Sequence, residues 1–154
     1  MTLTVALETP LAPDLDLLFA RHVEAMHSDT PPESIHMLPR EDLAVPGIDF
    51  LVLRDGQGTA VAMGAIKRID ATHGELKSMH VLAERRGEGL SRAMLSALVA
   101  QARARGFRRL SLETGVQPSF QAARALYARW GFTECGPFEG YAPDPNSLFM
   151  TLAL

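Results

Sequence analysis

The sequence predicts a domain of the mixed α/β class, in which one β-sheet carries helices on its faces. Two observations lead to this prediction. The spacing of apolar residues along the chain changes in the order strand, helix, three strands, helix, strand, helix, strand. The length of 154 residues, with 47% apolar and 21% charged residues, suits a single globular domain over residues 1–154 with a core of its own.

The N-terminal part begins at residues 2–7 with a short stretch rich in β-forming residues, which predicts a strand. Residues 13–27 carry apolar side chains at helical spacing and begin with Pro13 and Asp14, which are typical of a helix start. Residues 29–46 contain four prolines and no clear period, so we expect a loop with a short helix there.

Three strands are expected next, over residues 49–54, 59–70 and 74–81. The sequence Asp-Gly-Gln-Gly at residues 55–58 favours a tight turn and therefore joins the first two of these strands as a hairpin. This part of the chain thus forms the middle of the predicted sheet.

The C-terminal half predicts a helix over residues 90–105, which ends at Gly106 as helices commonly do. A short strand follows at residues 109–113, then a second helix at residues 119–130. The tail contains several prolines and ends in a predicted strand at residues 147–153.

Charge and composition narrow the classes of partner. The net charge of −3 gives no general reason to expect nucleic acid or an anionic membrane. No apolar stretch approaches the ~20 residues that a membrane-spanning helix needs, and the chain does not begin with a signal-peptide pattern. The single cysteine excludes an intrachain disulfide and suits a reducing compartment. We therefore expect a cytoplasmic protein without a nucleic-acid or membrane partner.

Residues of metal-binding type are present, but they are not spaced as metal ligands usually are. His22, His27 and Cys135 form no pair at the intervals of known metal sites. The two histidines are predicted on the surface of the first helix and the cysteine in the core. We therefore expect no metal.

The strongest functional signal is a glycine-rich turn between a predicted strand and a predicted helix, with the sequence Arg86-Gly87-Glu88-Gly89-Leu90-Ser91. The N-terminus of a helix offers free backbone N–H groups and partial positive charge, which together bind phosphate or diphosphate. Nearby arginines, namely Arg85, Arg86 and Arg92, add positive charge. The alternative is a plain strand-to-helix turn whose arginines face solvent.

Common nucleotide-binding patterns do not fit this turn. A Walker loop requires Gly-Lys followed by Ser or Thr, which is absent. A dinucleotide fingerprint requires a small residue six positions along from its first glycine, and counting from Gly87 that position is Arg92. A nucleotide-binding domain is therefore disfavoured.

Two motifs in the right order resemble the GCN5-related N-acetyltransferase (GNAT) family, and in particular a bacterial branch of uncharacterised members. The family pattern Arg/Gln-x-x-Gly-x-Gly/Ala aligns with Arg86, Gly89 and Ser91, where serine is a small departure. The family pattern Leu-Tyr-x-Lys/Arg-x-Gly-Phe is matched throughout by residues 126–132. Ala122 stands where the family usually has Asn.

The resemblance implies a GNAT-like sheet, mostly antiparallel with six to seven strands, and an acyl-CoA cleft between two splayed central strands. It also implies transfer of an acetyl group from acetyl-CoA directly to a primary amine of a small molecule or peptide. The alternative is a non-catalytic acyl-CoA sensor, which keeps the loop and loses the catalytic acid and base. Homodimers through the sheet edge or the tail are common in the family.

The same resemblance indicates which residues hold coenzyme A. They lie on the strand before the loop, in the loop itself and on the later helix. The expected residues are Met79, His80, Val81, Arg86, Gly87, Glu88, Gly89, Leu90, Ser91, Arg92, Ala123, Tyr127 and Arg129.

The resemblance assigns Tyr127 as the general acid that protonates the leaving thiolate. Glu75 is the first candidate for the general base and Glu113 the second, with a solvated or salt-bridged carboxylate as the alternative for each. Strand alternation places Glu75, Lys77 and Met79 on one face, so Lys77 either shares the site or pairs with Glu75.

The resemblance also implies that the acceptor pocket is built from the proline-rich early segment and the tail. Its candidate residues are Ser34, His36, Lys77, Tyr141 and Asn146. A solvated loop is the alternative for the early segment.

Overall fold

The computed structural model describes residues 2–154 and contains one seven-stranded sheet with three α-helices. The strands are β1 Thr4–Leu7, β2 Ile48–Arg54, β3 Ala60–Arg68, β4 His73–Val81, β5 Arg109–Gly115, β6 Thr133–Cys135 and β7 Ser147–Ala153. The helices are α1 Asp16–Asp29, α2 Leu90–Ala104 and α3 Gln121–Arg129. None of the helices in residues 2–154 is long and apolar enough to cross a membrane.

The strands lie in the order β1-β2-β3-β4-β5-β7-β6, and every neighbouring pair except β4 and β5 is antiparallel. The parallel pairing of β4 with β5 lasts for three residues and ends where Glu75 lies opposite Ser111. Beyond this point the two strands separate. The predicted mixed, mostly antiparallel sheet with two splayed central strands is therefore confirmed.

The splayed region of β4 contains a β-bulge. Along β3, Met63 pairs with His80 and Ala65 pairs with Lys77, so β4 carries one residue more than β3 between these pairs. Within the bulge Ser78 has a φ of 55°, a left-handed conformation that is uncommon for a residue with a side chain. A bulge of this kind bends the strand and re-aims its backbone groups, here at the mouth of the gap between β4 and β5.

Helices cover both faces of the sheet. On one face α2 packs closely, because a Cβ on Gly64 of β3 would lie 2.6 Å from Cδ1 of Leu98, which is fully buried. On the other face, Leu18 and Phe19 of α1 are buried, and the Phe19 ring stacks on Phe50 of β2 with centroids 5.7 Å apart. Side chains of β2 point alternately to the two faces of the sheet, so this strand contributes to the apolar core on each face.

Several expectations need correction. The strand β6 was not predicted, because three residues at the sheet edge carry too little periodicity to be recognised. The proline-rich segment agrees with the expected loop with a short helix, since it contains two short 3₁₀ turns, Pro32–Ser34 and Arg40–Leu43. His22 is buried, not on the surface, because it lies on the same face of α1 as Leu18. Cys135 is half-buried on the edge strand β6 instead of lying in the core.

Candidate active site

The separation of β4 from β5 opens a cleft with a volume of about 120 Å³ that is continuous with solvent. Its walls come from both faces of the sheet, since α1 contributes His22 and Met26, and α3 contributes Ala123 and Tyr127. The two strands form its floor. The fold therefore lets molecules that approach from opposite faces of the sheet meet at the gap.

The glycine-rich turn follows β4 after a short 3₁₀ turn at Ala83–Arg85, and α2 begins within it at Leu90. Gly87 and Gly89 have φ values of 85° and 78°, which favour glycine. No side chain of the described residues caps the N-terminus of α2, so its first N–H groups stay available to a ligand. The Glu88 carboxylate accepts hydrogen bonds from Arg85, with Nε 2.9 Å from Oε2.

Of the predicted cofactor residues outside this turn, some line the cleft and others do not. Met79 and Ala123 line the cleft, whereas His80 lies on the opposite side of β4, at a second cavity that it shares with Arg86. Arg92 and Arg129 are exposed and do not line the cleft.

Tyr127 is buried in the wall of the cleft with 7% of its surface exposed. Its hydroxyl points at Met79, with Oη 3.9 Å from Sδ. Burial raises the pKa of Tyr127 to about 12. The phenol therefore keeps its proton at neutral pH and can donate it within the cleft.

At one end of the cleft, Glu75, Lys77 and Tyr141 form a compact network. Oε2 of Glu75, which is 2% exposed, accepts hydrogen bonds from Tyr141 Oη at 2.5 Å and from Lys77 Nζ at 3.2 Å. Lys77 Nζ also donates to Tyr141 Oη at 3.0 Å and to the carbonyl oxygen of His36 at 3.3 Å. Burial, together with the hydrogen bond to Glu75, raises the pKa of Tyr141.

The second carboxylate of the cleft is Glu113 on β5, which is half-buried. Burial raises its pKa, partly offset by the nearby Ser147 hydroxyl and by the positive charge of Lys77. A carboxyl group with a raised pKa is a stronger base than an ordinary one. Glu113 thus differs from Glu75, whose carboxylate is bound by Lys77 and Tyr141.

Hydrogen bonds join the C-terminal tail to the proline-rich early segment beside this network. The Ser34 hydroxyl donates to Asp144 Oδ2 at 2.6 Å, and Asn146 Nδ2 donates to Ser34 Oγ at 3.4 Å. Gln117 Nε2 donates to Asn146 Oδ1 at 3.2 Å. Of the five predicted acceptor residues, His36, Lys77 and Tyr141 line the cleft, while Ser34 and Asn146 hold the surrounding segments in place.

His22, Met26, Met37 and Phe120 line the cleft but were missed from the sequence. His22 packs edge-to-face on His80 with ring centroids 5.3 Å apart, and burial lowers the pKa of both histidines to about 4. The available signal was the helical spacing of His22 with the apolar residues of α1. No group of three or more His, Cys, Asp or Glu side chains in residues 2–154 is placed to hold a metal ion.

A sheet that splits between two parallel strands beside a glycine-rich helix start is the arrangement of the acyl-CoA-dependent N-acyltransferase class. Residues 16–132 match the acetyltransferase (GNAT) family, and the chain belongs to this family, as predicted. Members of the family use acyl-CoA and an acceptor.

Individual relatives agree with this assignment. An uncharacterised N-acetyltransferase of Bacillus subtilis, YsnE, is 44% identical over 89% of this chain and 90% of its own length. The IAA acetyltransferase of Azospirillum brasilense is 42% identical over 96% of this chain and 95% of its own. A solved structure from Klebsiella pneumoniae, a candidate acyl-CoA N-acyltransferase, superposes with a TM-score of 0.79 at 32% identity and covers 99% of this chain and 98% of that chain.

Proposed function

We propose that this protein is an acetyl-CoA-dependent N-acetyltransferase that moves an acetyl group directly to a primary amine. The observation that carries the proposal is the gap between β4 and β5, with the bulge at Ser78 at its mouth and the uncapped N-terminus of α2 beside it. The gap offers a groove for an extended thioester, and the helix start offers a site for its diphosphate.

In this proposal the diphosphate of acetyl-CoA binds the N–H groups of the turn from Arg86 to Ser91. Gly87 and Gly89 allow the backbone to curve around the anion, since both have positive φ and no side chain to obstruct it. The arm of the cofactor extends along β4 beyond Glu75, where backbone groups no longer pair with β5. The thioester then lies near Met79 and Tyr127.

The transfer is a single displacement at the thioester carbonyl. The amine loses a proton and its nitrogen attacks the carbonyl carbon, the carbon–sulfur bond breaks, and the thiolate leaves with a proton from Tyr127. Tyr127 is protonated at neutral pH, so it has a proton to give as negative charge develops on the sulfur. Holding both reactants in one cleft supplies the rest of the rate enhancement, because it makes the reaction effectively unimolecular.

Glu113 is the general base that we favour for the amine. Its carboxylate lines the cleft, and its pKa is raised, which suits proton removal. Glu75 is 2% exposed and is held by Lys77 and Tyr141, so its role in this proposal is to position the acceptor end of the cleft.

The proposal is tested by titrating acetyl-CoA into the protein in a calorimeter and then measuring thiol release with a panel of primary amines. Binding followed by acceptor-dependent release supports an acetyltransferase. Binding without release for any amine would support a non-catalytic acyl-CoA sensor instead. Absence of binding would overturn every role for coenzyme A in this protein.

A further inference from the structure

The acceptor end of the cleft contains one lysine, and its hydrogen-bonding capacity is used within the protein. An ammonium group has three N–H donors. Those of Lys77 go to the Glu75 carboxylate at 3.2 Å, the Tyr141 hydroxyl at 3.0 Å and the His36 carbonyl at 3.3 Å. The Lys77 side chain is 9% exposed, and its charge is balanced by the adjacent carboxylate. Lys77 therefore has no donor left for a carboxylate on a substrate.

Among the described residues that line the cleft, the other basic side chains are the histidines His22 and His36. No arginine is among the described side chains that line the cleft. Arginine is the residue best suited to bind a carboxylate, because its planar guanidinium donates two parallel hydrogen bonds. His22 is neutral at physiological pH, since burial lowers its pKa to about 4. The His36 ring packs edge-to-face against the Tyr141 ring, with centroids 5.1 Å apart.

The rest of the cleft lining includes the Glu113 carboxylate and several apolar side chains. Glu113 faces the cleft, and the side chains of Met26 and Met37 form part of its wall. Methionine adapts its shape to apolar groups without specific geometry. A carboxylate attached next to the amine would lie near Glu113, and Lys77 has no donor left with which to bind it.

From this arrangement we infer that the acceptor is a primary amine with no carboxylate on the carbon that bears the nitrogen, so that free α-amino acids are excluded. The inference rests on the proposed function. Two like charges roughly 6 Å apart, at an effective dielectric of about 20, repel enough to weaken binding about a hundredfold. Because relaxation and water reduce that figure, we expect a preference in kcat/KM of at least about tenfold.

The test compares matched acceptors by thiol release from acetyl-CoA. The set is phenylalanine, phenylalaninamide and phenethylamine, with methionine and methioninamide as a second pair. The amine of the amide is more acidic than that of the amino acid, and the amine of phenethylamine is less acidic. A preference for both over phenylalanine therefore cannot come from amine acidity. Assays at about pH 8.5 also keep an ordinary imidazole neutral.

Higher kcat/KM for the amide and for phenethylamine than for phenylalanine is the expected result. Equal or better turnover of phenylalanine overturns the inference. If no acceptor is turned over, the same compounds are titrated into the protein saturated with coenzyme A. Binding of the amide and phenethylamine but not phenylalanine supports the inference, and binding of none of them overturns it. Failure to bind acetyl-CoA at all refutes the proposed function itself, which is a different outcome.

A substitution adds a second test of the electrostatic reason. Met37→Arg introduces a guanidinium whose donors are not already used, so the amide-to-acid preference should narrow several-fold. Met37→Leu changes the same wall without charge and should keep the preference of the parent protein. A preference that Met37→Arg leaves unchanged would show that charge does not decide acceptor choice, and would overturn the inference.

Discussion

Replacement of Lys77 by methionine should destabilise the protein strongly. Lys77 and Glu75 form an ion pair whose side chains are 9% and 2% exposed. Methionine has a similar length and can fill the space, but it provides no charge and no donor. The Glu75 carboxylate would then stay buried with only the hydrogen bond from Tyr141 at 2.5 Å.

The magnitude follows from the burial of the pair. Removing one partner of a buried ion pair costs about 3–5 kcal/mol, because a charge is left uncompensated away from water. An exposed pair would cost only about 0–1 kcal/mol. For a chain of this length each kcal/mol lowers Tm by about 2–4 °C, so Lys77→Met should lower Tm by roughly 10 °C.

Chemical denaturation of the parent and the variant gives the free energy of unfolding directly. The matched control is Lys67→Met, which replaces the other lysine of the chain, half-buried on β3. In a double-mutant cycle, Lys77→Met should cost much less when Glu75 is already Gln, because no buried charge is then left. A loss below about 1 kcal/mol for Lys77→Met would refute the argument that the pair is desolvated.

The remaining predictions concern catalysis. Tyr127→Phe should lower kcat by about a hundredfold with little change in acetyl-CoA affinity, because it removes only the proton donor; an unchanged kcat would mean that solvent protonates the thiolate. Glu113→Gln should lower kcat/KM about a hundredfold or more, whereas Glu84→Gln, at an exposed carboxylate outside the cleft, should leave it unchanged. A general base acts only when it is deprotonated, so the activity of the parent protein should fall as the pH drops through the raised pKa of Glu113. This fall should occur at a higher pH than for an ordinary glutamate. If Glu113→Gln leaves the pH profile unchanged, another group is the base.

Much of the fold could be predicted from the sequence, because its main elements carry strong local signals. The helical spacing of α2 and the glycines that flank it predicted its first residue correctly and its last residue to within one position. The strand β6 could not be predicted, since it is short and is stabilised by its pairing with β7.

The site was predictable to the extent that its residues lie in regular elements. Strand alternation left two alternatives for Lys77, namely sharing the site or pairing with Glu75. In the structure Lys77 forms an ion pair with Glu75 and also lines the cleft. The hydrogen bond from Tyr141 to Glu75 joins residues that are 66 positions apart, and no local pattern could reveal it. His22 was placed on the surface because a polar residue on an amphipathic helix usually faces water, yet its spacing puts it on the apolar face.

The central claim is that acetyl-CoA binds at the start of α2, and titration of acetyl-CoA into Gly89→Glu tests it most directly. The new carboxylate would repel the diphosphate and occupy the space in which it binds, so we expect no measurable binding. Gly58→Glu is the matched control, since Gly58 has a φ of 81° against 78° for Gly89 and neither has an atom within 4 Å of an added Cβ. The control should suffer the same backbone strain and still bind acetyl-CoA. Parent-like affinity in a folded Gly89→Glu variant would contradict the account.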